Sequence, residues 1–228
     1  MGRNTGQRIK NLFVEIDHIF IFSRNKGEEA NELVEMGFVE GSSRTHPGQG
    51  TRNRKFYFEN FFLEILWVVN EWEIQDARTR NTRLWERSQF EKNAHSPLGV
   101  CLLNTRKSDS LFSQALPYQP IYFPGGMPID FLPHIGSEYL PWTFRLPFKG
   151  KLKKVDEPRN HTNGIVSLTE ASFGIPEVGL NTPFVSAFEY EDQLSFYSSQ
   201  KIDLRLVFDQ NRQKKQMVFK SLPLIIHY

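Results

Sequence analysis

Two ionisable side chains interrupt strand faces that are otherwise apolar. In residues 13–22 (FVEIDHIFIF), two-residue alternation puts Val14, Ile16, His18, Phe20 and Phe22 on one side; in residues 61–68, Glu64 alternates with Phe62, Leu66 and Val68. An imidazole or a carboxylate in such company needs a partner, because an unpaired buried charge is costly. Either His18 and Glu64 hydrogen-bond each other or nearby backbone, or they hold something that is not protein. Between them, Arg44, His46, Gln49, Thr51 and Asn53 surround Gly48 and Gly50. Glycines let a backbone come close to a ligand, and these donors suit a carboxylate, a phosphate or a carbonyl; the same glycines also serve tight turns in an ordinary polar connection. Cys101 lies in an apolar run and reads as an inert core thiol. Tyr122, Phe123, Phe131, Trp142 and Phe144 either wall a planar ligand or fill core.

The elements that must carry these residues follow a repeating order. Residues 13–22 read as a strand. Residues 26–36 read as a helix with Ala30, Leu33 and Val34 at helical spacing, stopped by Gly37 and Phe38. Residues 54–58 and 61–68 read as a hairpin around Glu59 and Asn60. Residues 71–92 are a polar connector. A second, weaker round then gives a strand at 97–103, a short helix at 108–116, and strands at 121–123, 129–132 and 142–148. Residues 150–159 form a charged linker. Strand-like runs at 165–173, 204–208, 216–219 and 222–227 make a shorter C-terminal unit with an antiparallel pattern. The expectation is an α+β fold of paired βαβββ modules around a curved mixed sheet. Residues 1–11 would be a polar arm, 12–70 and 97–148 the two modules, and 160–228 a partial third β unit packed on the same domain.

Several stretches carry a family likeness. Ile16-Asp17-His18-Ile19-Phe20, the helix end Leu33-Val34-Glu35-Met36-Gly37-Phe38, and His46-Pro47-Gly48-Gln49-Gly50-Thr51-Arg52-Asn53 leading into Phe61-Phe62-Leu63-Glu64-Ile65-Leu66 resemble the vicinal oxygen chelate superfamily. That superfamily includes glyoxalase I, extradiol dioxygenases, epimerases and bleomycin-binding proteins. Thr82-Arg83-Leu84-Trp85-Glu86-Arg87 and Ser96-Pro97-Leu98-Gly99-Val100 are similar to a bacterial glyoxalase-like branch. The likeness covers residues 12 to 104; beyond them it rests on element order and on Asn160-His161-Thr162-Asn163-Gly164-Ile165, which adds His161 to the ligand-binding candidates.

The resemblance implies a cleft between modules. Metal-using members take a His or Gln from the first strand and a Glu from the last strand of each module, which here makes His18 and Glu64 the first module's ligands for one divalent ion. The elements do not distinguish Zn, Mn, Ni, Fe or Mg, and a cleft without any ion is an equal alternative. In the second module Gly99 falls opposite His18, and Thr143 and Arg145 stand where a carboxylate is expected. A completed shell would then need His46, His95, His134 or Glu138 from loops. As an enzyme the chain would be a metal-dependent lyase or isomerase, with Glu64 and His46 as candidates for moving a proton. As a binding protein it would sequester a small polar or aromatic molecule, antibiotic-like, without metal. A third alternative is a structural module that dimerises through its Phe-rich faces.

Composition narrows the partners. The net charge is +2, and clusters such as Arg78, Arg80, Arg83 and Arg87, or Arg212, Lys214 and Lys215, carry no nucleic-acid signature beside them. They read as solvated faces. One cysteine in 228 residues excludes an internal disulfide framework and points to a reducing compartment, the cytoplasm. The start, Met1 to Lys10, is polar and basic with no apolar run behind it long enough for a signal peptide or a membrane span, so neither is expected there. A small-molecule ligand is the expected partner, on a monomer or homodimer. No P-loop, HExxH, nucleophile elbow or dinucleotide fingerprint appears.

Overall fold

The computed structural model describes residues 14–150 and 156–228; the expected N-terminal arm, Phe13 and part of the linker lie outside the described residues. The first unit runs β1 (Ile16–Phe22), α1 (Ala30–Glu35), β2 (Ser43–His46), β3 (Thr51–Tyr57) and β4 (Phe62–Val68). Helix α1 stops where expected. Gly37 takes φ +90°, its N–H donates to Val34 O, and the Phe38 N–H reaches back to Leu33 O, which satisfies two carbonyls the helix end would leave open. The connector holds α2 (Glu71–Ile74), capped by the Asn70 side chain on the Trp72 and Glu73 N–H groups, and α3 (Leu84–Ser88).

The second unit comprises β5 (Leu98–Leu102), β6 (Leu116–Tyr118), β7 (Ile129–Phe131) and β8 (Trp142–Arg145). Two expectations fail here. Residues 108–114 form turns rather than a helix and Leu116 already belongs to β6, while residues 121–123 belong to a loop rather than a strand. Pro117 is tolerated in β6 because that strand is the outer edge of the sheet.

All eight strands form one mixed sheet in the order β2-β3-β4-β1-β5-β8-β7-β6. Within each unit the first strand is parallel to the last, and β1 meets β5 antiparallel at the centre, so the two units are related by a local twofold. The faces have different fates. Ile19, Ile21, Leu63, Ile65, Leu98 and Val100 point to a core shared with α1 and the C-terminal unit. Phe20, Phe22, Leu66, Cys101, Trp142 and Phe144 point to the concave side. That alternation is the one read from β4 and from His18 to Phe22, whereas Val14 and Ile16, expected on the face of His18, join the shared core because the register shifts between Ile16 and His18.

The C-terminal residues build a sheet of their own from β9 (Leu168–Ile175), α4 (Glu177–Leu180), α5 (Pro183–Ser186), β10 (Leu194–Ser198), β11 (Asp203–Phe208), β12 (Gln216–Val218) and β13 (Leu224–His227). Its order, β10-β9-β11-β13-β12, repeats the inner five strands of the first sheet, β4-β1-β5-β8-β7, with the same alternation of parallel and antiparallel pairs. It therefore holds two abbreviated units rather than one, and β11 runs parallel to β13, where an antiparallel pattern was expected. Phe173, Leu204, Leu206 and Phe208 face the shared core. No helix among the described residues is long and apolar enough to cross a membrane.

Candidate functional site

The concave face of the first unit gathers the polar residues. Register does this: β2 and β3 pair Arg44 with Asn53 and His46 with Thr51, and β3 and β4 pair Lys55 with Glu64. Because strand side chains alternate, these positions share one face with His18. Most of residues 44–53 are therefore a hairpin rather than a loop. Gly48 and Gly50 take φ +72° and +74° in its turn, and a Cβ on Gly50 would lie 2.2 Å from Asn70 O. The glycines serve the turn, while the neighbouring side chains line the face.

A chain of hydrogen bonds fixes those side chains. Glu64 Oε1 accepts from Asn53 Nδ2, and Asn53 Oδ1 accepts from the Arg44 N–H at 2.7 Å. His46 Nδ1 lies 2.9 Å from Thr51 Oγ1, which also accepts from Gln49 Nε2 at 2.8 Å. The Tyr122 hydroxyl donates to Gln49 Oε1 at 2.7 Å, and the Arg44 guanidinium lies 5.0 Å from the centre of the Tyr122 ring. Tyr122 comes from the loop after β6, and Ile121 beside it packs on Gly48. That loop thus clasps the two outer edges of the curved sheet together. Burial pushes His46 below its ordinary imidazole range; Glu64 pulls it back up, and Arg44, Lys55 and His18 push it further down. The ring is neutral near pH 7.

His18 sits at the centre of the sheet. Its ring stacks on Phe62 at 4.3 Å and meets the edge of Phe144 at 5.3 Å. Nδ1 is 2.7 Å from Asp17 Oδ2, and Nε2 is 3.8 Å from Glu64 Oε2. Asp17 reaches this position through a β-bulge: Ile16 pairs with Leu102 and His18 with Cys101, so Asp17 is the extra residue. The bulge breaks the alternation that would have sent it to the opposite face. Cys101, directly across from His18, completes a largely buried group in which one oxygen, one nitrogen and one sulfur lie within 4.8 Å of one another, a set able to chelate a metal ion. Burial, with Asp17 and Glu64 nearby, raises the Cys101 thiol well above its usual range. The inert-thiol reading missed this cluster, since nothing in the local sequence displays the β1–β5 register or the bulge.

The second unit contributes rings where the resemblance implies ligands. Gly99 and Cys101 are its concave positions on β5, and Trp142 and Phe144, rather than Thr143 and Arg145, are those on β8. Arg145 instead lies over the Phe112 ring and pairs with Asp109 and Asp130. The four-residue His/Glu shell does not fit these residues. His161 is also elsewhere. Its Nδ1 accepts from the Val39 N–H at 2.9 Å, its Nε2 donates to Tyr57 O at 3.0 Å, and its ring packs on Phe38 and Phe58. It braces the first sheet against the segment that leads into β9. His95 lies near Arg87 and Glu138, and His134 packs on Phe184, so of the four loop candidates His46 is the one that joins this face.

A family model described as "Glyoxalase-like domain" matches residues 16–179. No curated protein matches the chain. Among solved structures, a hypothetical protein from Staphylococcus aureus superposes with a TM-score of 0.56 at 10% identity, over 94% of this chain and 99% of that one. Methylmalonyl-CoA epimerase from Mycobacterium tuberculosis gives 0.37 at 12% identity, over 62% and 92% of the two chains. A mutant of 4-hydroxymandelate synthase from Streptomyces coelicolor gives 0.42 at 12% identity, over 93% and 61%. The first of these likenesses shows a shared fold.

Proposed function

The chain belongs to the glyoxalase-like domain family of the vicinal oxygen chelate superfamily, and from that premise we propose that it binds a small anionic or polar molecule on the concave face of β1 to β4. One observation carries the reading. The Asp17 carboxylate can only accept, so His18 Nδ1 holds a hydrogen toward it at 2.7 Å, while Nε2 stops 3.8 Å short of Glu64 Oε2. That gap is too long for a hydrogen bond, so neither atom satisfies the other directly. A polar ligand group entering it can bond to both atoms, while Arg44 and Lys55 beside it suit a carboxylate or phosphate.

In this reading Glu64, held by Asn53, is the group that takes a proton from the ligand, and neutral His46 is the second acceptor. Since the family's metal shell does not fit, no step passes through an ion held by His18 Nε2 and Glu64. The ring-filled second half favours a second reading, in which the same contacts recognise a ligand without transforming it.

The test begins with a thermal-shift screen of small carboxylates, phosphates and polar aromatics, followed by calorimetric titration of any hit. Arg44→Ala and His46→Ala should each weaken binding by about 1–3 kcal/mol while the melting temperature stays nearly unchanged. Glu64→Ala should shift both, because it leaves the buried Asn53 Nδ2 without its acceptor and removes the carboxylate that faces His18 Nε2. For an anionic hit, binding favours the charged His46, so affinity should rise as pH falls into and below the ordinary imidazole range, and this trend should vanish in His46→Ala. A hit indifferent to all three substitutions would place the site elsewhere.

A further inference from the structure

We propose that Asp17, His18 and Cys101 form a thiolate-containing site for a borderline-soft divalent cation of the Zn2+ or Co2+ class, bound at Nδ1 of His18 and not at the Nε2 that faces Glu64. The donor set points to that class. Carboxylate, imidazole and sulfur together suit zinc-like ions, whereas Mg2+ and Ca2+ take oxygen shells. The three donor atoms lie within 4.8 Å of one another, as ligands around one tetrahedral ion must.

The backbone explains why they converge. Cys101 is the register partner of His18 on the central antiparallel pair, and the bulge turns Asp17 to the same side. All three ligands therefore stand on the two central strands of the sheet. A small hollow bordered by Asp17, Cys101, Leu146 and Phe148, with space for about one water, adjoins two of the three ligands.

The hydrogens balance. In the ion-free chain Nδ1–H is bonded to Asp17 Oδ2 at 2.7 Å. The ion takes the place of that hydrogen, the ring proton moves to Nε2, and the thiol proton leaves to solvent. Nε2–H then faces Glu64 Oε2, and a metal-bound imidazole commonly donates its other N–H to a carboxylate in this way. Glu64 becomes the outer partner that orients the ring.

The site is tested by titrating Co2+ into the chelator-treated full chain and following its absorption. The expected result is one Co2+ per chain with a thiolate-to-cobalt charge-transfer band. Cys101→Ser should abolish the band, and Cys101→Ala serves as a second variant should the serine destabilise the fold, with melting curves recorded for each. Asp17→Asn should weaken binding and keep the band. Glu64→Gln should also keep the band, with an affinity loss on the order of 10- to 100-fold. Co2+ that binds without the band, a band that survives in folded Cys101 variants, or affinity lost in Glu64→Gln but untouched in Asp17→Asn would each overturn the proposal. The titration contains no organic ligand, so its failure would leave the ligand-binding reading standing.

Discussion

Gly99→Ala is expected to destabilise the chain by about 3 kcal/mol, at the upper end of what overpacking costs. A Cβ at Gly99 would lie 2.1 Å from Cε1 and 2.3 Å from Cζ of Phe20. The ring has little room to move, because it is 2% exposed and is boxed by Phe22 at 5.4 Å, Trp142 at 6.0 Å and Phe144 at 6.2 Å. Denaturant titration should show a lower midpoint with an unchanged slope, and the melting temperature should fall by about 6–12 °C. Phe20→Leu in the same chain should recover part of the loss, since the two changes share one contact. A Gly99→Ala midpoint within about 0.5 kcal/mol of the parent would refute the packing argument. The consequence reaches the site. Gly99 occupies the place where the twofold relation would put a second histidine, so a ligand there and the Phe20 ring exclude each other. The ring cluster has replaced the second half of the family's metal shell.

The first unit was legible because its signals are local. Alternation displays β1 and β4, and Gly37 with Phe38 displays the end of α1. Strand β2 escaped notice because Ser43–His46 is a polar edge strand with only one apolar-facing neighbour, β3. Residues 108–116 look helical by composition, yet they precede Pro117 and turn into β6 before a helix can propagate. The polar face followed the same rule. Arg44, His46, Thr51, Asn53 and Glu64 come together because they alternate on three adjacent strands, with Gln49 in the turn between the first two, which sequence spacing can suggest. Asp17 and Cys101 could not be assigned to it, since their contact with His18 depends on pairing between strands about eighty residues apart and on a one-residue bulge. His161 was drawn in by its motif, but a motif does not reveal that backbone groups occupy both ring nitrogens.

Acid should loosen the junction between the two sheets through His134. This residue lies in the loop between β7 and β8 with φ 45°, its Nε2 is 3.3 Å from Thr143 Oγ1, and its ring meets the edge of Phe184 on α5 at 4.4 Å. Burial pushes its pKa down to about 3, with the positive charge of Arg87 adding to the effect. The folded value thus lies below the unfolded one, near 6.5, and the unfolded chain binds the extra proton between them. The contribution of neutral His134 is therefore present in full above pH 6.5 and is lost as pH falls toward 3. Linkage over that whole interval gives a ceiling of about 4–5 kcal/mol, and because the ring is only half-buried, solvent screening should reduce it to about 2–3 kcal/mol. His134→Asn keeps a residue that tolerates the left-handed backbone and removes the titration. It should cost about 1 kcal/mol at pH 8 through lost ring packing, and then lose less stability than the parent as pH falls from 6.5 to 4.5. His46, His95 and His161 have the same sign and remain in both proteins, so the difference between the two pH profiles isolates His134. Superimposable profiles would show that the junction does not depend on the charge of this ring.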